Sequence, residues 1–176
     1  VLTSGFNFSG FTITNNTFNV RHSGVRLLYT TSSTISGNTF NVTNPNSGGN
    51  SSAILITLLN GGTNGTHNIT NNKILTLSTA NIATGNGIGG IDASNGGGGT
   101  YNISNNVVTG FSTGTGTPVD AVFRGIACSS ASDNYIVEHN SIQLPAATIA
   151  LGTTLGRVAG IQVAALTSGS AIIRNN

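Results

Sequence analysis

The chain has 176 residues, within the range of one domain, and Gly, Asn, Thr and Ser make up about half of it. Charged residues are only 6% and apolar ones 37%, a balance that excludes a disordered acidic or basic tail. The formal charge of +2 comes from six scattered Lys and Arg, so no clustered phosphate-binding patch for nucleic acid forms, and no apolar run has the length of a membrane helix.

Cys128 is the single cysteine, which rules out an intrachain disulfide. The sequence has no Met and no basic-then-apolar leader, so a processed chain or a segment of a longer surface protein is expected. The richness in Thr, Ser, Asn and Gly, with one Lys and one Cys, is typical of bacterial cell-surface and secreted β proteins. An extracellular or cell-surface location is the corresponding expectation.

In chain order, two motifs alternate. GFNF (5–8) is followed by FTITNNTFNV (11–20), GVRL (24–27) by STISGNTFNV (33–42), and AILI (53–56) by HNITNNKILTL (67–77). GIDA (90–93) then precedes YNISNNVVTG (101–110), GIAC (125–128) precedes YIVEHNSIQL (135–144), and GIQV (160–163) precedes AIIRNN (171–176). The second motif places one Asn at each corner: Asn16, Asn38, Asn72, Asn106, Asn140 and Asn176, spaced by 22, 34, 34, 34 and 36 residues. A repeat of this length is the signature of a solenoid. Asn suits such a corner because it tolerates left-handed backbone angles, and stacked Asn side chains can hydrogen-bond along the coil. In the doublet column of Asn15, Asn71, Asn105 and Asn175, Gly37 and His139 are the two departures.

Strand side chains alternate. The first motif therefore predicts two inward columns, Phe6, Val25, Ile54, Ile91, Ile126, Ile161 and Phe8, Leu27, Ile56, Ala93, Cys128, Val163. The column between them, Asn7, Arg26, Leu55, Asp92, Ala127 and Gln162, is expected to face water and to tolerate change. No single rung buries its own face, so several must stack. The fold expected is all-β: a right-handed, single-stranded parallel β-helix of about six rungs with Asn corners, spanning 1–176 as one domain.

The G-I-x-V strands and I-x-x-N-x-[IFV] corners resemble the repeats of the pectin-lyase-like superfamily of right-handed parallel β-helices. That superfamily includes polysaccharide lyases and hydrolases, phage tailspikes, surface adhesins and structural proteins. The resemblance therefore implies a fold and leaves the activity open.

A lyase or glycosidase would need clustered carboxylates, or acids beside a catalytic Arg or Lys. The acids are Asp92, Asp120, Asp133 and Glu138. Asp92 reads as a solvated surface carboxylate, and Asp120, after Pro118, as a turn or cap. Asp133, Glu138 and His139 flank one corner and are the nearest approach to a metal site, while His22 and His67 belong to other rungs. Cys128 reads as a small core residue. The run SNGGGGT (94–100) lacks the Gly-Lys-Ser/Thr ending of a phosphate loop. Sequons at Asn41, Asn50, Asn64 and Asn102 are expected by chance in such a composition. A bound sugar would favour exposed aromatics, yet Phe6, Phe8, Phe11, Phe18 and Phe40 read mostly as core, and Tyr29, Tyr101 and Tyr135 are the only tyrosines.

No catalytic, cofactor or metal residue is therefore expected, and no enzymatic activity. The leading expectation is a structural or adhesive extracellular protein whose copies stack axially into a filament or stalk. The alternative is a secreted carbohydrate-binding or carbohydrate-active protein, with surface glycans as partners. The apolar excursion LPAATIALGTTL (144–155), through Leu144, Ile149, Leu151 and Leu155, is expected to add a partner contact.

Overall fold

The computed structural model describes residues 8–28, 30–44, 51–57, 65–79, 87–94, 97–113, 122–144 and 157–176. The first strands are β1 (Phe11–Thr14), β2 (Thr17–Val20) and β3 (Ser23–Leu28). Next come β4 (Ser33–Ser36), β5 (Thr39–Asn44) and β6 (Ser51–Thr57), then β7 (Thr66–Thr70), β8 (Lys73–Thr79) and β9 (Gly87–Ser94). They are followed by β10 (Thr100–Ser104), β11 (Val107–Val108), β12 (Phe111–Thr113) and β13 (Val122–Cys128). The last are β14 (Asn134–Glu138), β15 (Ser141–Ile142), β16 (Arg157–Val163) and β17 (Ser170–Arg174). No helix occurs among the described residues, and so none is long and apolar enough to cross a membrane.

Every third strand or so returns to the same sheet. The first sheet has the order β1-β4-β7-β10-β14-β17, and the third β3-β6-β9-β13-β16. The second runs β2-β5-β8-β11-β15, with β12 also on β8. All pairs are parallel and their registers join equivalent positions of the repeat, as in Ile13↔Ile35, Ile35↔Ile69, Ile69↔Ile103 and Ile103↔Val137. Parallel pairing with the same residue type in each column is the arrangement of a coiled solenoid chain, whose core is the space between the sheets.

The described residues of the predicted inward columns line that core, while Phe6 lies outside the described residues. Ile54, Ile56, Ile91, Ala93 and Ile126 are fully buried, and Val25 and Cys128 nearly so. A small residue precedes each inward Val or Ile, and at Gly24, Gly90 and Gly125 a side chain of the second sheet packs onto that spot. A Cβ at Gly125 would run into the Ile142 side chain and one at Gly90 into Val108. The second sheet contributes Phe40, stacked on Phe18 with ring centroids 4.9 Å apart, and Ile74 and Leu77. A register shift between Phe40 and Asn41 bulges β8 against β5, and Leu75 is left largely exposed there.

Two sequence expectations need correction. Ala127 points away from the inward columns but is fully buried, so the outward column is not free surface throughout. Phe8 and Phe11 are 37% and 39% exposed, because their first-rung positions have a neighbour on one side only.

Candidate functional site

The six corner Asn residues form one continuous ladder. Asn16, Asn38, Asn72, Asn106 and Asn140 each donate their backbone N–H to the Oδ1 of the next Asn at 2.9–3.0 Å. Each Nδ2 also donates to that same Oδ1, at distances from 3.3 Å at Asn16 to 2.9 Å at Asn140. The other Nδ2 proton reaches back to a strand carbonyl of the preceding turn: Asn72 to Ile35, Asn106 to Ile69, Asn140 to Ile103. The carboxamides of Asn38, Asn72, Asn106 and Asn140 thus each tie three successive turns together. Asn38, Asn72 and Asn106 are fully buried and Asn140 nearly so, so these bonds form in a low dielectric where chains of amide dipoles reinforce one another.

The left-handed turn itself falls on the residue before the ladder Asn. Asn15, Asn71, Asn105, His139 and Asn175 have φ between 54° and 58°, and Gly37 has φ 67°. The corner doublet therefore divides its labour: the first residue bends the chain and the second links the turns. At Gly37 a Cβ would meet the outer end of the Asn15 carboxamide. His139 is exposed, with its Nε2 3.5 Å from Asn175 Nδ2.

The candidate chemical residues lie apart. Asp92 is half-buried rather than solvated, and burial raises its carboxyl above the ordinary range against the opposing pull of Arg124 and a 3.5 Å hydrogen bond from Ser129 Oγ. On the same outward face, Arg124 Nε and Gln162 Oε1 are buried without a hydrogen-bond partner. Asp133 is fully buried and structural: its Oδ1 accepts from Gly99 N at 2.9 Å and its Oδ2 from Tyr135 Oη at 3.4 Å. Glu138 instead takes Arg174 Nε at 2.6 Å. Asp133, Glu138 and His139 therefore do not converge, and no group of three metal-ligating side chains occurs among the described residues. Burial pushes the Cys128 thiol up to about 12, with the Asp92 charge adding to the effect, so it is a protonated core residue at neutral pH.

Sequence reasoning missed an inward column of the first sheet. Ser33 Oγ lies 3.0 Å from His67 Nδ1, the His67 ring stacks on Tyr101 at 4.8 Å, and Tyr101 stacks on Tyr135 at 5.4 Å. A Ser–His pair suggests a nucleophile and base. Here His67, Tyr101 and Tyr135 are fully buried and Ser33 is 3% exposed, so no substrate reaches them. Burial lowers the His67 pKa to about 4, keeping the ring neutral. The signal was the 34-residue spacing of positions 33, 67, 101 and 135, visible once the corners are aligned. Of the expected partner contact, Leu144 is half-buried, while Ile149, Leu151 and Leu155 lie outside the described residues, as do Asp120, Tyr29 and the sequons Asn50 and Asn64. Asn102 is half-buried and bonded to Asn68, and Asn41 to Asn19.

No family model, no curated protein and no solved structure matches the chain.

Proposed function

We propose that the chain is a structural or adhesive stretch of an extracellular filament or stalk. Its coil is a right-handed parallel β-helix of about six rungs that stacks axially with like copies. The observation that carries this reading is the directional ladder together with the apolar columns that run its length. Every ladder Asn from Asn16 to Asn140 donates forward to an Oδ1. Asn176 Nδ2 donates to Val137 O of the preceding turn and to Arg174 O of its own, at 3.0 Å each. An Asn16 carboxamide from a following copy would continue the series.

The columns fit the same junction. Ile173, 46% exposed, ends a column that Ile13 begins, and the bulky Phe11 would meet the small Ala171. Strand edges at both faces would pair as β17 against a neighbour's β1, a β-augmentation between identical elements. The spread of the few acids along the chain, with Asp133 and Glu138 engaged in structural contacts, favours this reading over a carbohydrate-active one.

Sedimentation velocity combined with electron microscopy tests the proposal. Linear particles that lengthen with concentration, and that shorten for Ile173→Lys, are expected. A dispersed monomer at all concentrations would refute axial stacking.

A further inference from the structure

The outward face of the first sheet keeps one composition over four strands, whereas the second sheet has it only in β2 and β5, at Thr17, Asn19, Thr39 and Asn41. In β1 (FTIT), β4 (STIS), β7 (THNIT) and β10 (TYNIS) the inward residues are Phe, Ser, His, Tyr and Ile, and every outward residue is Thr, Ser or Asn. None of these outward side chains carries a charge. The third sheet displays Arg26, Asp92 and Arg124, and the second Lys73 and the exposed Leu75. Past β10 the first sheet itself changes character, to Ile136 and Glu138 and then Ile172 and Arg174. The uncharged patch is therefore bounded, and composition alone does not explain where it lies.

The patch is also a grid. The registers of β1, β4, β7 and β10 run without a slip, so Thr12, Thr34, Asn68 and Asn102 lie in one rank and the next outward residues in a parallel one. The second sheet breaks its own register at Phe40 and Asn41. Ranks repeat at about 4.8 Å from strand to strand and at about 6.6 Å along each strand. Hydrogen bonds between turns hold four of these side chains in place: Thr70 Oγ1 donates to Ser36 Oγ at 2.9 Å, and Asn102 Nδ2 to Asn68 Oδ1 at 2.8 Å. Little side-chain entropy then remains to be lost on binding. Beside the Thr12 rank, on the side away from the second rank, lies an open groove of about 270 Å³, lined by Gly10, Thr12, Ser32, Thr34, Thr66 and Asn68 with Phe11 at its edge. At roughly 30 Å³ per water, it accommodates a file of several molecules.

A rigid, neutral array periodic in two directions matches a ligand that is itself neutral and periodic in two directions. Its strand-to-strand repeat lies close to an oxygen spacing on a face of hexagonal ice, and Thr offers both a hydroxyl to bond ordered water and a methyl to sit among it. A flexible polymer has no such two-dimensional period. We infer that the outward face of the first sheet, from β1 to β10, binds the surface of ice. This inference uses a side of the coil and stands whether or not copies stack end to end.

The test is growth of single ice crystals in the purified chain, read as crystal shape and as the gap between melting and growth temperatures. Faceted crystals and a measurable gap are expected. Thr34→Lys and Thr70→Lys, each placing a flexible charge in the grid, should reduce the gap several-fold. Their thermal melts should stay close to that of the parent, and Thr17→Lys on the second sheet should change neither readout. Rounded crystals growing at the melting point, as in buffer, would overturn the inference, as would equal loss by Thr17→Lys. Binding to microcrystalline cellulose or chitin without any shaping of ice would also overturn it and assign the face to a crystalline polysaccharide. If both grid variants unfold, Thr12→Tyr, at an exposed position, supplies the same comparison.

Discussion

Ile103 and Ile173 occupy the same column of the same sheet, three residues before equivalent corner Asn residues. Ile103 is fully buried and Ile173 is 46% exposed. Nothing in either strand's own pattern distinguishes them. What differs is the number of turns stacked on each side, so in this coil burial is conferred by neighbours, and alternation only chooses the face. The same contrast separates Asn106, sealed within the ladder, from the exposed Asn16 at its start. The middle of the coil should therefore carry the stability, and the end turns should contribute little.

Substitutions at matched positions break or sharpen this contrast. Ile126→Asp puts an unpaired charge among buried side chains and should cost more than about 4 kcal/mol, enough to unfold the chain. Ile173→Asp should cost under about 1 kcal/mol, since water already reaches that site. Urea denaturation of the pair checks both, and equal losses would contradict the account. Asn106→Ala removes the acceptor of the Asn72 N–H and Nδ2 and the donor to Ile69 O, so about 3–4 kcal/mol should be lost. The same change at Asn16 should cost less than about 1 kcal/mol.

The buried His67 adds a pH dependence to the middle alone. Its pKa is lowered in the fold from 6.5 to about 4. The unfolded chain therefore binds the extra proton first as pH falls. The stability linked to neutral His67 is full above pH 6.5 and is lost progressively toward pH 4, by about 3 kcal/mol. Thermal melts between pH 7 and 4 should show this slope, and His67→Asn should flatten it whatever its effect at pH 7. The smallest effect belongs to the end turn. Arg174 is 61% exposed, so Arg174→Ala should lower stability by no more than about 0.5 kcal/mol despite the 2.6 Å contact with Glu138.

The parallel sheets, the inward Ile and Val columns and the ladder positions were legible in the sequence. One residue in each repeat must meet its own counterpart in the next, and that requirement leaves a period. The division of the corner doublet was only half legible, since Asn serves both as a left-handed residue and as a ladder rung. Gly37 and His139 mark the bending position by being the places where Asn is dispensable. The shielding of Ala127 and Asp92 was not legible, because alternation reports which side of a strand a residue is on and is silent about what lies over that side. The Ser33–His67–Tyr101–Tyr135 column was hidden for a different reason. Its residues are polar, and an apolar periodicity does not register them although their spacing is regular. The grid on the first sheet likewise looked like composition until the register aligned its rows.

The most direct measurement of axial stacking is amide hydrogen exchange, strand by strand, across a range of concentrations. The account predicts slow exchange in β7 and β10 at every concentration. It predicts fast exchange in β1 and β17 when dilute, slowing together as copies stack. Exchange in β1 and β17 that stays the same from the most dilute to the most concentrated sample would contradict it.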